Sequence, residues 1–117
     1  MPTNLANRRA ALGEMKAHAA DAAGLMKTLG NEQRLLVLCS LTEGPLTVGE
    51  LNRRVPLSQS ALSQHLAKLR EAGLVETRRE AQTIHYSLAA GPVTALMATL
   101  HDIYCAPAAP RRSDRRT

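Results

Sequence analysis

The sequence predicts a mainly α-helical fold with one small β-hairpin, and three observations support this class. Apolar residues recur at intervals of three and four along most of the 117-residue chain. Capping residues and Gly-Pro pairs separate these helical segments. The run LVETRREAQTIHYSL instead reads as two short strands around a polar turn. The order of these segments predicts a helix-turn-helix followed by a hairpin, and an apolar helix at each end.

The N-terminal segment carries an apolar stripe over an Ala-rich sequence. Its members are Leu12, Met15, Ala19, Ala22, Met26 and Leu29. Residues 1–10 are expected to be flexible, and Gly24 is expected to divide the segment into two helices. The stripe is typical either of a core helix or of a dimerisation helix. We favour dimerisation on the helical periodicity of the stripe.

Two helices with clear N-terminal caps follow. Asn31 caps a central helix whose interior is apolar almost all round, and Gly44 and Pro45 end that segment. Thr47 with Glu50 three residues later is a capping-box pattern, which predicts a short helix from Thr47 to about Arg54. This helix and the next one, joined by a tight turn, make a helix-turn-helix.

Ser58 can cap the next helix, which is expected to run from about Ser58 to Ala72 and has the chemistry to read DNA. Leu62, Leu66 and Leu69 form one buried stripe. The other side is polar, and Gln and Ser side chains can hydrogen-bond base edges in a major groove while Lys and Arg reach phosphate. The candidate DNA-binding residues here are Gln59, Ser60, Ser63, Gln64, Lys68 and Arg70. An ordinary amphipathic surface helix is the alternative.

A basic hairpin after this helix favours the DNA-binding interpretation. Its predicted strands are Leu74–Arg79 and Thr83–Leu88, with the turn between them at residues 80–82. Such a hairpin is similar to the wing of a winged helix, which lies along the DNA backbone. Its candidate DNA-binding residues are Arg78, Arg79 and Gln82.

A last helix begins at Pro92, and its apolar residues predict a partner surface. They are Val93, Leu96, Met97, Leu100, Ile103 and Tyr104. We expect this helix and the N-terminal helix to pack across a two-fold interface, so that residues 11–105 form one domain of a homodimer. Residues 106–117 are Pro-rich and then basic, and are expected to be a disordered tail.

Composition limits the classes of function. The formal net charge is +5 and the sequence pI is about 9.9, which favours an anionic partner such as double-stranded DNA. No apolar run is long enough to span a bilayer and no signal-peptide block is present, so a cytoplasmic protein is expected. Its two cysteines, Cys39 and Cys105, would then begin as thiols.

The segments LGNEQRLLVLCSL, SQSALSQHLAKLREAGLV and RREAQTIHYSL together resemble the ArsR/SmtB repressors over residues 22–105. Within that family the chain is similar to the persulfide-sensing BigR/SqrR branch, which has one cysteine before the helix-turn-helix and one near the end of the last helix. Cys39 and Cys105 occupy those places. The resemblance implies a dimeric repressor, without a cofactor, that binds operator DNA when reduced. Persulfide or oxidant would bridge the two cysteines and release the DNA.

Several alternatives remain open at this stage. Without the resemblance, both cysteines would be interpreted as core packing. The metal-sensing branches are a poor match, because the short helix has no thiol and His101 and Asp102 stand alone on the last helix. A soft-metal site formed by Cys39, His101 and Cys105 is a further alternative, as is a response to peroxide-type oxidants or a metalloid.

A winged-helix module that binds protein rather than DNA is disfavoured by the basic residues and by the polar Gln/Ser face. An enzyme is disfavoured by the lack of a Cys-x-x-Cys, of a Gly-rich phosphate loop and of a nucleophile with an identifiable base.

Overall fold

The computed structural model describes residues 5–105, and side chains from residue 9 onward. The expected disordered tail and the first four residues of the expected flexible N-terminus lie outside this range. The elements are, in order, α1 (Leu5–Leu29), α2 (Glu32–Ser40), a 3-10 turn (Leu41–Glu43), β1 (Leu46–Thr47), α3 (Val48–Arg54), α4 (Gln59–Glu71), β2 (Val75–Glu80), β3 (Thr83–Leu88) and α5 (Pro92–Tyr104).

Helix α1 corrects one expectation, because it runs through Gly24 without a break. It begins at Leu5, so residues 5–10 of the segment expected to be flexible are part of this helix. One glycine costs a helix only about 1 kcal/mol relative to alanine, which the surrounding Ala-rich sequence tolerates. Residues 9–21 are all exposed, and contact with the core begins near Leu25. Most of α1 therefore projects from the domain.

Each predicted cap is present. The Asn31 side chain accepts a hydrogen bond from the Arg34 N–H at 3.0 Å. Thr47 and Glu50 form the complete capping box of α3, with bonds of 3.1 and 2.9 Å. Ser58 accepts from the Ala61 N–H at 3.1 Å and begins α4. Because these bonds join residues three positions apart, the sequence alone determines them.

The turn between α3 and α4 is held by a bond that the sequence did not reveal. Asn52 Nδ2 donates to the Leu57 carbonyl at 2.8 Å, and the Val55 N–H continues the α3 ladder to the Leu51 carbonyl at 2.9 Å. Val55 is buried, at 2% exposure. The Asn52–Leu57 hydrogen bond and the burial of Val55 together fix the angle at which α4 leaves α3.

The hairpin belongs to a three-stranded antiparallel sheet in the order β1-β3-β2. Strand β1 was not predicted, because a strand of two residues is too short to show an alternating sequence pattern. It pairs Leu46 with Tyr86 and Thr47 with His85. Strand β2 runs from Val75 through Glu80, a residue expected in the turn, and pairs with β3 over its whole length. Only Ala81 and Gln82 connect the two strands.

The core is aliphatic, as the composition requires. Its fully buried members come from α2, α3, α4, the turn after α3 and α5, and are Val37, Leu38, Leu51, Val55, Leu62, Leu66, Leu69 and Val93. Helix α2 is less enclosed than expected, because its Leu36 is 40% exposed. At the far end of α5, Ile103 and Tyr104 are also exposed. Apolar side chains on α1, α2 and α5 therefore remain uncovered in the single chain.

Candidate DNA-binding surface and dithiol groove

Helix α4 turns its polar side to solvent. Its three leucines are at most 1% exposed and so fix the rotation of the helix on the core. All six candidate residues of this helix are exposed, namely Gln59, Ser60, Ser63, Gln64, Lys68 and Arg70. An open groove of about 650 Å³ runs along the helix and is bounded on the sheet side by Tyr86 of β3. Hydrogen-bond donors and acceptors on an uncovered helix are what major-groove recognition requires.

The two arginines of the wing, defined here as β2, β3 and their turn, lie on opposite faces of the sheet. Arg79 pairs with Ile84, two positions from the Thr77–Tyr86 pair, so it shares the face of Tyr86 and α4. Arg78 pairs with His85 on the other face. Both side chains are exposed, but the sequence analysis treated them as equivalent and the structure distinguishes them.

Arg78 already has an acidic neighbour. Its Nη2 lies 3.1 Å from Glu80 Oε2, and the two side chains are 71% and 56% exposed. An exposed ion pair of this kind contributes at most about 1 kcal/mol, so a DNA phosphate can replace the carboxylate. Arg79 makes no ion pair within residues 9–105. Of the two arginines, Arg79 is therefore the better placed for the predicted phosphate contact.

Gln82 lies at the tip of the wing. It follows Ala81, whose φ of 57° lies in the left-handed region that permits the two-residue turn. The side chain is exposed and joins no other element. Its position at the tip suits a contact with the DNA backbone or with a minor groove.

The two cysteines line one groove, although they lie on different helices. Cys39 is half-buried near the end of α2, and Cys105 is exposed directly after α5. The groove measures about 240 Å³ and its walls are almost wholly apolar. The other lining residues are Glu32, Leu35, Leu36, Met97, Leu100, His101 and Tyr104. The fold thus brings together two thiols that sequence could not place beside each other.

The two thiols differ in environment. Burial raises the pKa of the Cys39 thiol, and the charge of Cys105, a hydrogen bond with its side chain, and the charge of Glu43 raise it further. A raised pKa keeps Cys39 in its thiol form at neutral pH. Both residues line the same groove, so the two thiols face a common space. Cys105, with greater solvent access, is the better placed to meet a reagent first.

A soft-metal site gains no support from this arrangement. Cys39, His101 and Cys105 all line the groove, yet residues 5–105 contain no group of three His, Cys, Asp or Glu side chains that could hold a metal ion. The sulfur atoms lie among leucine and methionine side chains.

Three residues of the site region were missed by the sequence analysis. Asn52 fixes the helix-turn-helix, Tyr86 bounds the groove of α4, and Glu80 neutralises Arg78. The alternation of side chains along a strand would have placed Arg78 and Glu80 on one face. The roles of Asn52 and Tyr86 depend on packing between elements.

No helix in the described part of the chain has the length and apolar character to cross a membrane.

A helix-turn-helix with an exposed polar second helix and an adjoining basic hairpin defines a winged helix-turn-helix domain of the DNA-binding type. The sequence agrees, since residues 31–77 match the family model described as "Bacterial regulatory protein, arsR family". The chain belongs to the ArsR family, which confirms the resemblance given above.

Two relatives show how far the similarity extends. The transcriptional activator HlyU of Vibrio cholerae is 53% identical over 80% of this chain and 87% of its own length. The biofilm growth-associated repressor of Agrobacterium fabrum is 45% identical over 82% of each chain. The first is named a transcriptional activator and the second a repressor, and this chain is a transcriptional regulator of the ArsR family.

Solved structures agree with the fold. Reduced HlyU from Vibrio cholerae superimposes with a TM-score of 0.74 and covers 79% of this chain and 97% of that one. The homodimeric winged helix-turn-helix domain of Mb0332 from Mycobacterium bovis is 31% identical, with a TM-score of 0.66, and covers 76% of this chain and 83% of that one. The predicted winged helix-turn-helix fold is thereby confirmed, with a third strand added.

Proposed function

We propose that this protein is a dithiol-switched transcriptional repressor. As a reduced homodimer it binds operator DNA, and a bridge between Cys39 and Cys105, formed by persulfide or oxidant, releases the DNA. The observation that carries the proposal is that both cysteines line one apolar groove between α2 and α5. A half-buried and an exposed thiol, side by side, provide a nucleophile and a resolving group.

The DNA-binding surface consists of the polar face of α4 and the wing. Gln59, Ser60, Ser63 and Gln64 offer hydrogen bonds to base edges, while Lys68, Arg70, Arg78, Arg79 and Gln82 reach the backbone. All nine side chains are exposed in the single chain. Repression follows if this surface covers a promoter, and the Agrobacterium relative is named as a repressor.

The homodimer is supported by apolar surface that the single chain leaves uncovered. Leu12, Met15 and Met26 of α1 are 59%, 55% and 59% exposed, and Ile103 and Tyr104 of α5 are 60% and 79% exposed. Burying such side chains against a second copy removes apolar area from water. The similar Mb0332 domain is described as homodimeric. A dimer would present two α4 helices to successive major grooves, about 34 Å apart.

The bridging chemistry balances with a persulfide as the only reagent. One cysteine thiolate attacks the outer sulfur of RS–SH, which forms Cys–S–SH and releases RSH. The second thiolate attacks the inner sulfur of that group, which forms the disulfide and releases H₂S. With a second RS–SH, Cys–S–S⁻ displaces HS⁻ to give Cys–S–S–S–R, and the other thiolate displaces RS⁻ to leave a trisulfide. The cysteines are oxidised and sulfane sulfur is reduced to sulfide.

A bridge can influence DNA binding because the groove and the recognition helix share one core. Leu38 of α2, Leu66 of α4 and Met97 of α5 belong to the same buried cluster. Joining α2 to α5 changes how these helices pack, and α5 also carries the apolar surface expected at the dimer interface. A small rotation there would alter the spacing of the two α4 helices, so that both half-sites no longer fit at once.

The decisive experiment is fluorescence anisotropy of a labelled duplex from upstream of the gene. Reduced protein should bind tightly, glutathione persulfide should abolish binding, and dithiothreitol should restore it. Cys39→Ser and Cys105→Ser should each bind DNA and ignore the persulfide. Mass spectrometry of the treated protein distinguishes a disulfide from a trisulfide. DNA binding that is indifferent to persulfide and to peroxide would return both cysteines to a packing role.

A steep dependence of DNA affinity on salt distinguishes this function from that of a protein-binding winged helix. Each phosphate contact contributes about −0.9 to the slope of log affinity against log salt. A domain that binds only protein would show no measurable DNA binding even at low salt, and therefore no such slope.

A further inference from the structure

The dithiol groove, which lies between α2 and α5, is walled mainly by apolar side chains. Those of α2 are Leu35 and Leu36, and those of α5 are Met97, Leu100 and Tyr104. Met97 is 3% exposed, so the groove reaches the edge of the buried core. Its volume of about 240 Å³ is below the roughly 300–1,000 Å³ of sites that enclose drug-sized molecules. A small apolar group is therefore the occupant that these walls suit.

The charged side chains near the thiols are acidic. Glu32 lines the groove, and the charge of Glu43 acts on Cys39 and helps to raise the pKa of its thiol. Among residues 9–105, no lysine or arginine lines the groove, and the other polar groups on its walls are the His101 imidazole and the Tyr104 hydroxyl. An anion that entered would lose hydration and meet carboxylates, without a positive charge to offset either effect.

Closing the bridge requires the organic group of the reagent to enter this groove. Cys105 is exposed and can react with a reagent that remains in solvent, whereas Cys39 is half-buried. The first reaction leaves a mixed disulfide on Cys105. For the Cys39 sulfur to attack it, the mixed disulfide has to turn into the groove, and the attached organic group turns with it. The walls of the groove then act on the rate of the second step.

We propose that the dithiol groove selects small uncharged polysulfides with apolar arms, such as dialkyl trisulfides, over large anionic reagents such as glutathione persulfide. Short alkyl arms match the size and the walls of the groove, whereas glutathione is a tripeptide whose carboxylates would meet Glu32. Glutathione reagents still form the bridge, but more slowly. The inference names the reagent class of the proposed switch, so it rests on the bridge between Cys39 and Cys105.

The reaction balances with the trisulfide as the only reagent. The Cys105 thiolate attacks an outer sulfur of R–S–S–S–R, which forms Cys105–S–S–R and releases RSS⁻. The Cys39 thiolate then attacks the Cys105 sulfur, which closes the disulfide and releases RS⁻. The two cysteines lose two electrons and two protons, and the trisulfide takes them up as RSSH and RSH.

The size of the effect follows from the burial of the arm. Each methylene group that enters an apolar site gains the equivalent of up to about a fourfold change in rate. A carboxylate at the end of the same arm should lower the rate by about fivefold or more, because it gives up hydration and approaches Glu32.

The experiment measures how fast fully reduced protein forms the bridge at neutral pH, with mass spectrometry of acid-quenched samples. The reagents are dimethyl, diethyl and dipropyl trisulfide, bis(2-carboxyethyl) trisulfide and glutathione trisulfide. Each rate is divided by the rate at which the same reagent oxidises free dithiothreitol, which removes differences in intrinsic reactivity. The ratio should rise by about two- to fourfold per methylene along the dialkyl series. It should fall by about fivefold or more from dipropyl to bis(2-carboxyethyl) trisulfide, which has a carboxylate in place of each terminal methyl.

Two variants test the walls themselves. Leu36→Lys places a positive charge on the groove, and it should raise the ratio for bis(2-carboxyethyl) trisulfide and lower that for dipropyl trisulfide. Ile84→Lys is the matched control, since Ile84 is 38% exposed against 40% for Leu36 and lies on β3, outside the groove. Glu32→Gln removes an exposed carboxylate with little change in shape. It should raise the ratio for the anionic reagents alone.

The outcomes separate this inference from the function on which it rests. Bridge formation at equal ratios for all five reagents, or fastest with glutathione trisulfide, would overturn the selectivity and leave the dithiol switch standing. Absence of a bridge with every reagent would overturn the switch and the selectivity together. Anion discrimination that is unchanged in both Leu36→Lys and Glu32→Gln would show that the walls of the groove do not cause it.

Discussion

Cys39 and Cys105 line the same groove, but the two thiols differ in their exposure to solvent. Cys39 is half-buried on α2, its pKa raised by burial and by the nearby Cys105, whereas Cys105 is exposed at the end of α5. Under the proposed function, this asymmetry predicts that the accessible thiol encounters the reagent and that the shielded one completes the bridge.

Alkylation should reveal that order. With iodoacetamide at pH 7, Cys105 should react faster than Cys39, because exposure gives the reagent access and a raised pKa keeps Cys39 protonated. The rate at Cys39 should continue to rise at pH values where an ordinary thiol has already levelled off. Peptide mass spectrometry of timed samples measures both rates, with Cys39→Ser and Cys105→Ser as single-thiol controls. Equal rates at neutral pH would contradict the assignment.

Gln64 should contribute to sequence recognition rather than to general DNA attraction. Its amide is exposed on the outer side of α4 and carries no charge. Gln64→Ala should cost about 1–3 kcal/mol on the operator and much less on a random duplex. Competition anisotropy with both duplexes measures the difference, and an equal loss on each would exclude a base contact.

Arg79 should matter more than Arg78 for attraction to the backbone. Removing Arg79 deletes a charge that has no ion pair among residues 9–105 and lies on the face shared with α4, whereas removing Arg78 also frees Glu80 from its partner. Arg79→Ala should weaken operator and random binding alike and reduce the salt slope by about 0.9. Arg78→Ala is the matched variant. A reduction of the slope only in Arg78→Ala would reverse the ranking of the two contacts.

Alanine substitutions at two leucines of α2 should distinguish the stability contributed by the core from that contributed by the surface. The two positions are Leu38 and Leu36. Leu38 is 0% exposed and Leu36 is 40% exposed. Leu38→Ala should lower the free energy of unfolding by about 2–5 kcal/mol, because it leaves a cavity among α2, α4 and α5. Leu36→Ala should cost clearly less. Urea denaturation of both variants at one protein concentration measures the difference, and equal losses would show that a second copy buries Leu36.

The sequence by itself determined the helices, their caps and the aliphatic core. The helix caps form hydrogen bonds that span three residues, at Asn31, at Thr47 with Glu50, and at Ser58. The leucine spacing of α4 identifies its buried face. The chemistry of the exposed face of α4 follows directly from that spacing. Local structure was misjudged at Gly24, where the penalty of one glycine was too small to end α1, and at Glu80, which lies in β2 rather than in the turn.

Only the tertiary structure decided the relationships between distant segments. Strand β1 exists because β3 provides its hydrogen-bond partners, and the strand register brings His85 beside Arg78 and Glu80. The sequence established that there are two thiols, and the family resemblance implied that they act together. Their common groove is a consequence of how α5 packs on α2. Such contacts depend on the sum of many packing interactions across the chain, and no local pattern of residues encodes that sum.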